Sequence, residues 1–231
     1  MLPEQNNPFA EGKVLLMNKP LHWTSFDVVR KIRSTIKIKK VGHAGTLDPL
    51  ASGLLIVCTG RFTKKINEYM AQEKEYTGSF TLGATTPTYD LESEPGNFKD
   101  FSGITEAQLH AFTQQFTGQI QQVPPAHSAI KKEGKPVYEM ARKGIAVHLE
   151  PRTLFIKEFS ISHVEMPKVY FKVVCSTGTY IRSLAHDFGH ALGCGAYLSS
   201  LCRTRIGGFT VDHAMSMEAF QQMAENVMQN G

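Results

Sequence analysis

Apolar and polar positions along the chain follow two periods, one suited to strands and one to helices. Residues 14–20, Val-Leu-Leu-Met-Asn-Lys-Pro, predict a short strand stopped by Pro20. Thr24 or Ser25 can cap a helix running to about Ile36, with Phe26, Val29, Ile32 and Ile36 on one face. Residues 41–50 hold Gly42, Gly45, Asp48 and Pro49 and predict a loop. Gly53 to Cys58 is a continuous apolar run, as in a buried strand. A helix is expected over 63–71. Residues 76–82 then alternate, with Tyr76, Gly78, Phe80 and Leu82 set against Thr77, Ser79 and Thr81, which predicts a strand with one buried face.

The rest of the chain alternates less regularly. Residues 85–104 are rich in Pro, Gly, Asp and Ser and predict an extended loop, followed by a helix over 105–116. Val123-Pro124-Pro125 cannot continue a helix. Residues 126–135 form a basic, glycine-containing loop of the kind that closes over a ligand. A short helix over 138–143 ends at Gly144. Strands follow at 152–165 and 169–176, then a helix over 180–192 stopped by Gly193. A strand at 197–205 and an amphipathic helix at 217–228 complete the pattern. Without regular strand–helix alternation, α+β is favoured over doubly wound α/β. No repeat, low-complexity tract or linker interrupts the chain. A single domain over 1–231 with an insertion at roughly 124–151 is the simplest organisation.

Composition narrows the function classes without choosing one. A formal charge of +4 permits a polyanionic partner but does not demand one. Its distribution says more: Arg30, Lys31, Arg33, Lys37, Lys39 and Lys40 follow one another with no acid between them. A solvated helix face accounts for that run as well as an RNA contact does. Cys58, Cys175, Cys194 and Cys202 form no C-x-x-C pair, which excludes a zinc ribbon and a thioredoxin-like motif and suits buried free thiols in a reducing cytosol. Residues 1–12 lack the pattern of a signal peptide, and no apolar run is long enough to span a membrane, so a cytoplasmic location is expected.

Three segments carry candidate chemistry. In Gly42-His43-Ala44-Gly45-Thr46-Leu47-Asp48-Pro49 the glycines let the backbone approach a ligand, and Pro49 restrains Asp48 toward extended geometry. Read locally, an Asp-Pro turn is the better account of the same residues. In Gly178-Thr179-Tyr180-Ile181-Arg182 a glycine turn feeds a helix, and Arg182 can pair with a buried carboxylate. An ordinary helix start with a surface arginine is the alternative. His186 and His190 have the i, i+4 spacing of zinc ligands, but the glutamate of H-E-x-x-H is missing and no third ligand is evident, so structural histidines are favoured and no metal is expected. No P-loop or G-x-S-x-G is present.

Residues Lys40 to Leu55, with His43-Ala44-Gly45-Thr46-Leu47-Asp48-Pro49 at their centre, closely resemble the nucleophile motif of the TruB family, the bacterial tRNA pseudouridine-55 synthases. Asn18-Lys19-Pro20 is similar to that family's lysine–proline segment, and Lys74-Glu75-Tyr76 to its tyrosine strand. Pro124 to Lys131 and Tyr138 to Gly144 resemble its RNA-gripping insertion. Cys175 to Leu184 resembles its arginine motif, and Leu201 to Gly207 its late strand. The blocks keep family order over residues 18–209.

The resemblance implies a pseudouridine synthase fold, a mixed and mainly antiparallel sheet flanked by helices. It implies isomerisation of uridine to pseudouridine in the T-loop of tRNA, position 55, without a cofactor. Asp48 would be the nucleophile, Tyr76 would stack on the uracil and assist proton removal, and Arg182 would pair with Asp48. His43 would fill the space left by the flipped uridine, and Tyr180 and Leu201 would contact the base. Lys19, Lys39, Lys40, Lys64, Lys131, Lys132, Arg142 and Arg203 are the candidate RNA contacts. The partner would be the tRNA T-arm, with no membrane and no obligate protein partner. Two departures from the family stand out: many relatives have an arginine where this chain has Cys202, and the residues after Phe209 are too few for a full C-terminal PUA domain. An RNA-binding or RNA-folding protein on the same scaffold and a guide-RNA-dependent synthase remain the alternatives.

Overall fold

Asn7 caps a four-residue helix α1 (Pro8–Glu11), its side-chain oxygen accepting from the Phe9 amide at 3.0 Å. The computed structural model describes residues 7–128, 130–132, 135–145 and 147–229, with the side chains of 131, 132, 135, 136, 141 and 142 outside that description. Two compact units are present, Met1–Tyr76 with Leu201–Gly231, and Thr77–Ser200.

In the first unit, strand β1 (Val14–Lys19) ends before Pro20, as its sequence predicts. Helix α2 (Ser25–Ile36) is capped by Thr24, whose hydroxyl accepts from the Asp27 amide while the Asp27 carboxylate accepts from the Thr24 amide. Its buried face is Val28, Val29, Ile32 and Ile36. Phe26, expected on that face, is instead 56% exposed, with the Arg33 guanidinium 5.8 Å from its ring centre. Phe26 comes two residues before Val28, roughly 200° around the helix from it, and so faces outward. The loop expected over 41–50 begins as a short strand, β2 (Val41–His43), paired antiparallel with β3 (Ala51–Thr59). The helix expected at 63–71 is a 3-10 segment, Gly60–Lys65, followed by α3 (Ile66–Met70). Strand β4 (Lys74–Leu82) starts in this unit and runs into the second.

The second unit holds α4 (Glu106–Thr113), β5 (Gly118–Gln122), the short hairpin β6 (Lys131–Lys132) and β7 (Lys135–Pro136), α5 (Val137–Arg142), the long strands β8 (Arg152–Glu165) and β9 (Lys168–Cys175), and α6 (Ile181–Ala191). Strand β5 is absent from the sequence expectation. Gly-Gln-Ile-Gln-Gln offers one apolar residue, and its backbone is satisfied by antiparallel pairing with β8 along the outer edge. Strand β10 (Ala196–Ile206) returns the chain to the first unit, where β11 (Phe209–Thr210) and α7 (Met217–Gln229) follow.

Strand order is β1-β3-β10 in the first unit and β10-β4-β9-β8-β5 in the second. The β3–β10 pair is parallel, with Leu201 opposite Ala51 and Arg203 opposite Gly53, while β1–β3, β5–β8 and β8–β9 are antiparallel. The expected α+β class, a mixed and mainly antiparallel sheet with helices, is the fold observed. In the first unit the inner faces of α2 and α7 bury Ile32, Ile36, Met217 and Phe220 against Leu15, Met17, Leu55 and Val57. In the second unit Phe80, Phe159, Phe171 and Phe188 pack ring to ring with centroids 5.1–6.5 Å apart. Ile181, Leu184 and Ala185 of α6 line the same apolar space. That packing fixes α6, and with it the direction of the residues on its other face. Among the described residues no helix is long and apolar enough to cross a membrane.

Candidate active site

The Asp48 loop is held at almost every residue. The Ser25 hydroxyl, at the start of α2, accepts from the Leu47 amide at 2.8 Å and donates to the Leu47 carbonyl at 3.2 Å. The Ala44 amide bonds to Ile56, and the His22 amide to the Pro49 carbonyl at 2.7 Å. Asp48 itself turns the chain into β3, its carbonyl accepting from Ala51 at 3.0 Å. A loop tied from both flanks holds its carboxylate in place instead of letting it wander, which is what a reacting group requires.

Two buried cations complete the anchoring. Lys19 is 0% exposed, and its ammonium donates to the carbonyls of Trp23 at 2.6 Å, Pro20 at 2.9 Å and Pro49 at 3.5 Å. Burial lowers its pKa to about 8, with the Asp48 carboxylate pulling upward and the Arg203 guanidinium downward. Arg203 is 1% exposed and donates to Leu54 at 2.9 Å, Gly45 at 3.0 Å and Thr46 at 3.5 Å. Both side chains thus point into the protein and hold the loop, and neither is spread on the surface for phosphate. Gly53 explains why β10 can come so close: a Cβ there would lie 2.4 Å from the Arg203 carbonyl oxygen, and its φ of +103° is one that L side chains avoid.

His43 lies next to this cluster. Burial pushes its pKa down, Arg203 adds to that, and the Gly45 backbone opposes it, a net shift that favours the neutral imidazole. Its Nδ1 is buried with no partner among the described residues. Tyr76, on β4, is 8% exposed, and Leu201, on β10 opposite Ala51, is 9% exposed. Lys39, Lys40 and Lys64 are exposed. The side chains of Lys131, Lys132 and Arg142 lie outside the described residues. Cys202 is a half-buried free thiol, whereas Cys58, Cys175 and Cys194 are buried.

The second unit organises Arg182. Arg182 is 4% exposed, and it donates from Nη1 to Thr88 at 3.2 Å and from Nη2 to His127 at 3.1 Å. Its Nε lies 3.6 Å from the carboxylate of Asp90, which is itself 4% exposed. The sequence reading missed Asp90, because nothing in Pro87-Thr88-Tyr89-Asp90 distinguishes it from other polar loop residues. Tyr180 precedes α6 and is gripped by Gln122, which accepts from its amide at 2.9 Å and donates to its carbonyl at 3.1 Å. Gln122 was also missed, since its strand was. Ser183 donates to Val123 at 2.9 Å and ties the same helix start to the end of β5. His186, weighed as a zinc ligand, stacks on Tyr89 instead, and among the described residues no three His, Cys, Asp or Glu side chains cluster as a metal site would.

Residues 33–181 match the family profile described as TruB family pseudouridylate synthase, N-terminal domain. The chain belongs to the TruB family. Residues 182–230 match a second TruB profile, the tRNA pseudouridylate synthase B C-terminal domain. A TruB relative from Flavobacterium johnsoniae, named tRNA pseudouridine synthase B, is 49% identical over 229 residues, covering 96% of this chain and 99% of its own. One of the same name from Parabacteroides distasonis is 50% identical over 223 residues, covering 94% and 95%. Among solved structures, a chain in the crystal structure of a Cbf5-Nop10-Gar1 complex superimposes with a TM-score of 0.73 at 29% identity. That match takes in 96% of this TruB chain, which spans only 56% of the length of the other.

Proposed function

We propose that the protein converts uridine to pseudouridine in the T-loop of tRNA, at position 55, with Asp48 as the nucleophile. The observation that carries this reading is near end-to-end identity of about half with relatives named tRNA pseudouridine synthase B. The anchoring of the Asp48 loop supports it, because a nucleophile must be held before its substrate arrives.

The reaction cleaves the N1–C1′ bond, turns the uracil and joins it through C5, after which C5 loses a proton and N1 gains one. Nothing is imported or exported, so the protein must supply position, charge and proton transfer. Asp48 acts as the covalent carboxylate catalyst, splitting one hard step into easier ones. Arg182 supplies a positive charge as the partner of the Asp48 carboxylate. Tyr76 stacks on the uracil and assists removal of its proton. A stacked uridine must first leave the RNA loop, at a cost of a few kcal/mol. A neutral His43 suits the space it vacates, while Tyr180 and Leu201 flank the base. Exposed Lys39, Lys40 and Lys64 position phosphates. We read Lys19 and Arg203 as residues that hold the loop. A single catalytic domain and a cytoplasmic location fit this role.

Purified protein mixed with unmodified tRNA and nothing else is the test. Wild type should form pseudouridine at position 55, and Asp48→Asn should form none while still binding the RNA. Near-normal turnover by Asp48→Asn would overturn the assignment, and a requirement for an added RNA would favour a guide-dependent synthase.

A further inference from the structure

Tyr89 has a left-handed backbone, with φ of 64°, where a bulky side chain is strained. Such strain persists only when the surroundings over-determine it. Three contacts do so here. The Tyr89 amide donates to Thr86 at 3.2 Å, and its carbonyl accepts from Leu198 at 2.9 Å. Its ring lies flat on the His186 imidazole, with centroids 3.9 Å apart and planes 17° from parallel.

The residues on either side of Tyr89 are those that hold Arg182. The Thr88 carbonyl accepts from Arg182 Nη1, and the Asp90 carboxylate faces Nε. His186 lies four positions after Arg182 on α6, so the two side chains leave one face of the helix a turn apart. The 88–90 segment is therefore joined to α6 at two successive turns, once through the arginine and once through the stack. His186 does not earn its place by hydrogen bonding at Nδ1, which is buried with no partner among the described residues. Its ring face is the surface in use. Burial, reinforced by the charge of His190, lowers its pKa and favours the neutral ring.

We propose that the Tyr89–His186 stack is a positioning clamp for Arg182, and that it contributes to turnover while leaving RNA binding alone. Were Tyr89 to relax to an extended φ, the peptide planes on its two sides would rotate relative to each other. The Thr88 carbonyl and the Asp90 carboxylate could not then both stay on the guanidinium. The inference rests on the catalytic role proposed above for Arg182.

The test is single-turnover pseudouridine formation on a T-arm stem-loop, with RNA affinity measured in parallel. Tyr89→Leu and His186→Leu should each slow the step about 3- to 10-fold, the size expected for a lost ring stack, with affinity unchanged. The double variant should be no slower than the slower single. Tyr89→Phe and His186→Phe keep both rings and should stay within about twofold of wild type. Tyr89→Asn tolerates the left-handed backbone that strains leucine there but has no ring, so it tests the stack without that strain and should be as slow as the leucine variants. Wild-type rates in Tyr89→Asn, or in correctly folded leucine variants, would overturn the clamp. So would leucine effects that multiply in the double variant. Asp48→Asn in the same assay separates the two claims: if it keeps turning over, the reading of the site fails, and if it alone is dead, only the clamp fails.

Discussion

Arg203 donates from Nη2 to the carbonyl of Gly45 at 3.0 Å, so a strand near the end of the sequence fixes the backbone three residues ahead of Asp48. The same guanidinium reaches Leu54, on the other side of the loop, at 2.9 Å. One planar group thereby sets the distance between the two ends of the Asp48 loop. Lysine cannot do this, because a single ammonium on a flexible stem has no fixed fork.

Arg203→Lys keeps the charge and removes that geometry. Urea unfolding should show a loss of about 2–4 kcal/mol, from carbonyls left without donors in a buried place. Pseudouridine formation should fall about 10-fold or more, as expected when a reacting group drifts from its position. Unchanged stability and rate would mean that the fork is dispensable.

Lys19 gives the protein a particular response to alkali. Its folded pKa is pulled from 10.5 to about 8 by burial. Between those values the unfolded chain binds more protons than the folded one, so this residue's contribution to stability rises with pH. Below about pH 8 both states are protonated and the contribution is flat. Unfolding free energies of wild type and Lys19→Met, compared across that range, should diverge in favour of wild type as pH increases. A constant difference would show that Lys19 keeps an ordinary pKa in the folded state.

Gln122 uses both ends of its amide on the backbone of Tyr180, one as acceptor and one as donor. Gln122→Glu keeps the acceptor and turns the donor into a second acceptor facing a carbonyl. The variant should lose about 1–3 kcal/mol of stability at neutral pH. Part of that loss should return in acid, where a protonated glutamic acid can donate again. A loss that does not depend on pH would point to packing as its cause.

Periodicity made the regular elements legible. The strand at 152–165 was expected with the bounds it has, and α2 and α7 appear within a residue or two of their expected ends. Elements satisfied mainly by distant partners were not legible. Strand β5 is polar along most of its length and becomes a strand only because β8 offers its edge. Helix α1 depends on the Asn7 side chain, which also donates to the distant Ile36 carbonyl at 2.7 Å. The site divides in the same way. Asp48, Tyr76 and Arg182 were named from motif resemblance, whereas Asp90, Gln122 and Ser25, which hold these segments, have neighbours in sequence that give no hint of their roles.

By itself the sequence determined the α+β class, most helix and strand positions and the family, because hydrophobic period and ordered motifs are local properties of the chain. Only the tertiary structure decided what holds each motif in place. It turned Lys19 and Arg203 inward to carbonyls, gave Arg182 the carboxylate of Asp90, and laid His186 against Tyr89. The reason is physical: a buried charge or a strained backbone is tolerable only with partners, and the side-chain bonds onto the Asp48 loop span 22 to 158 positions, separations no local pattern can encode.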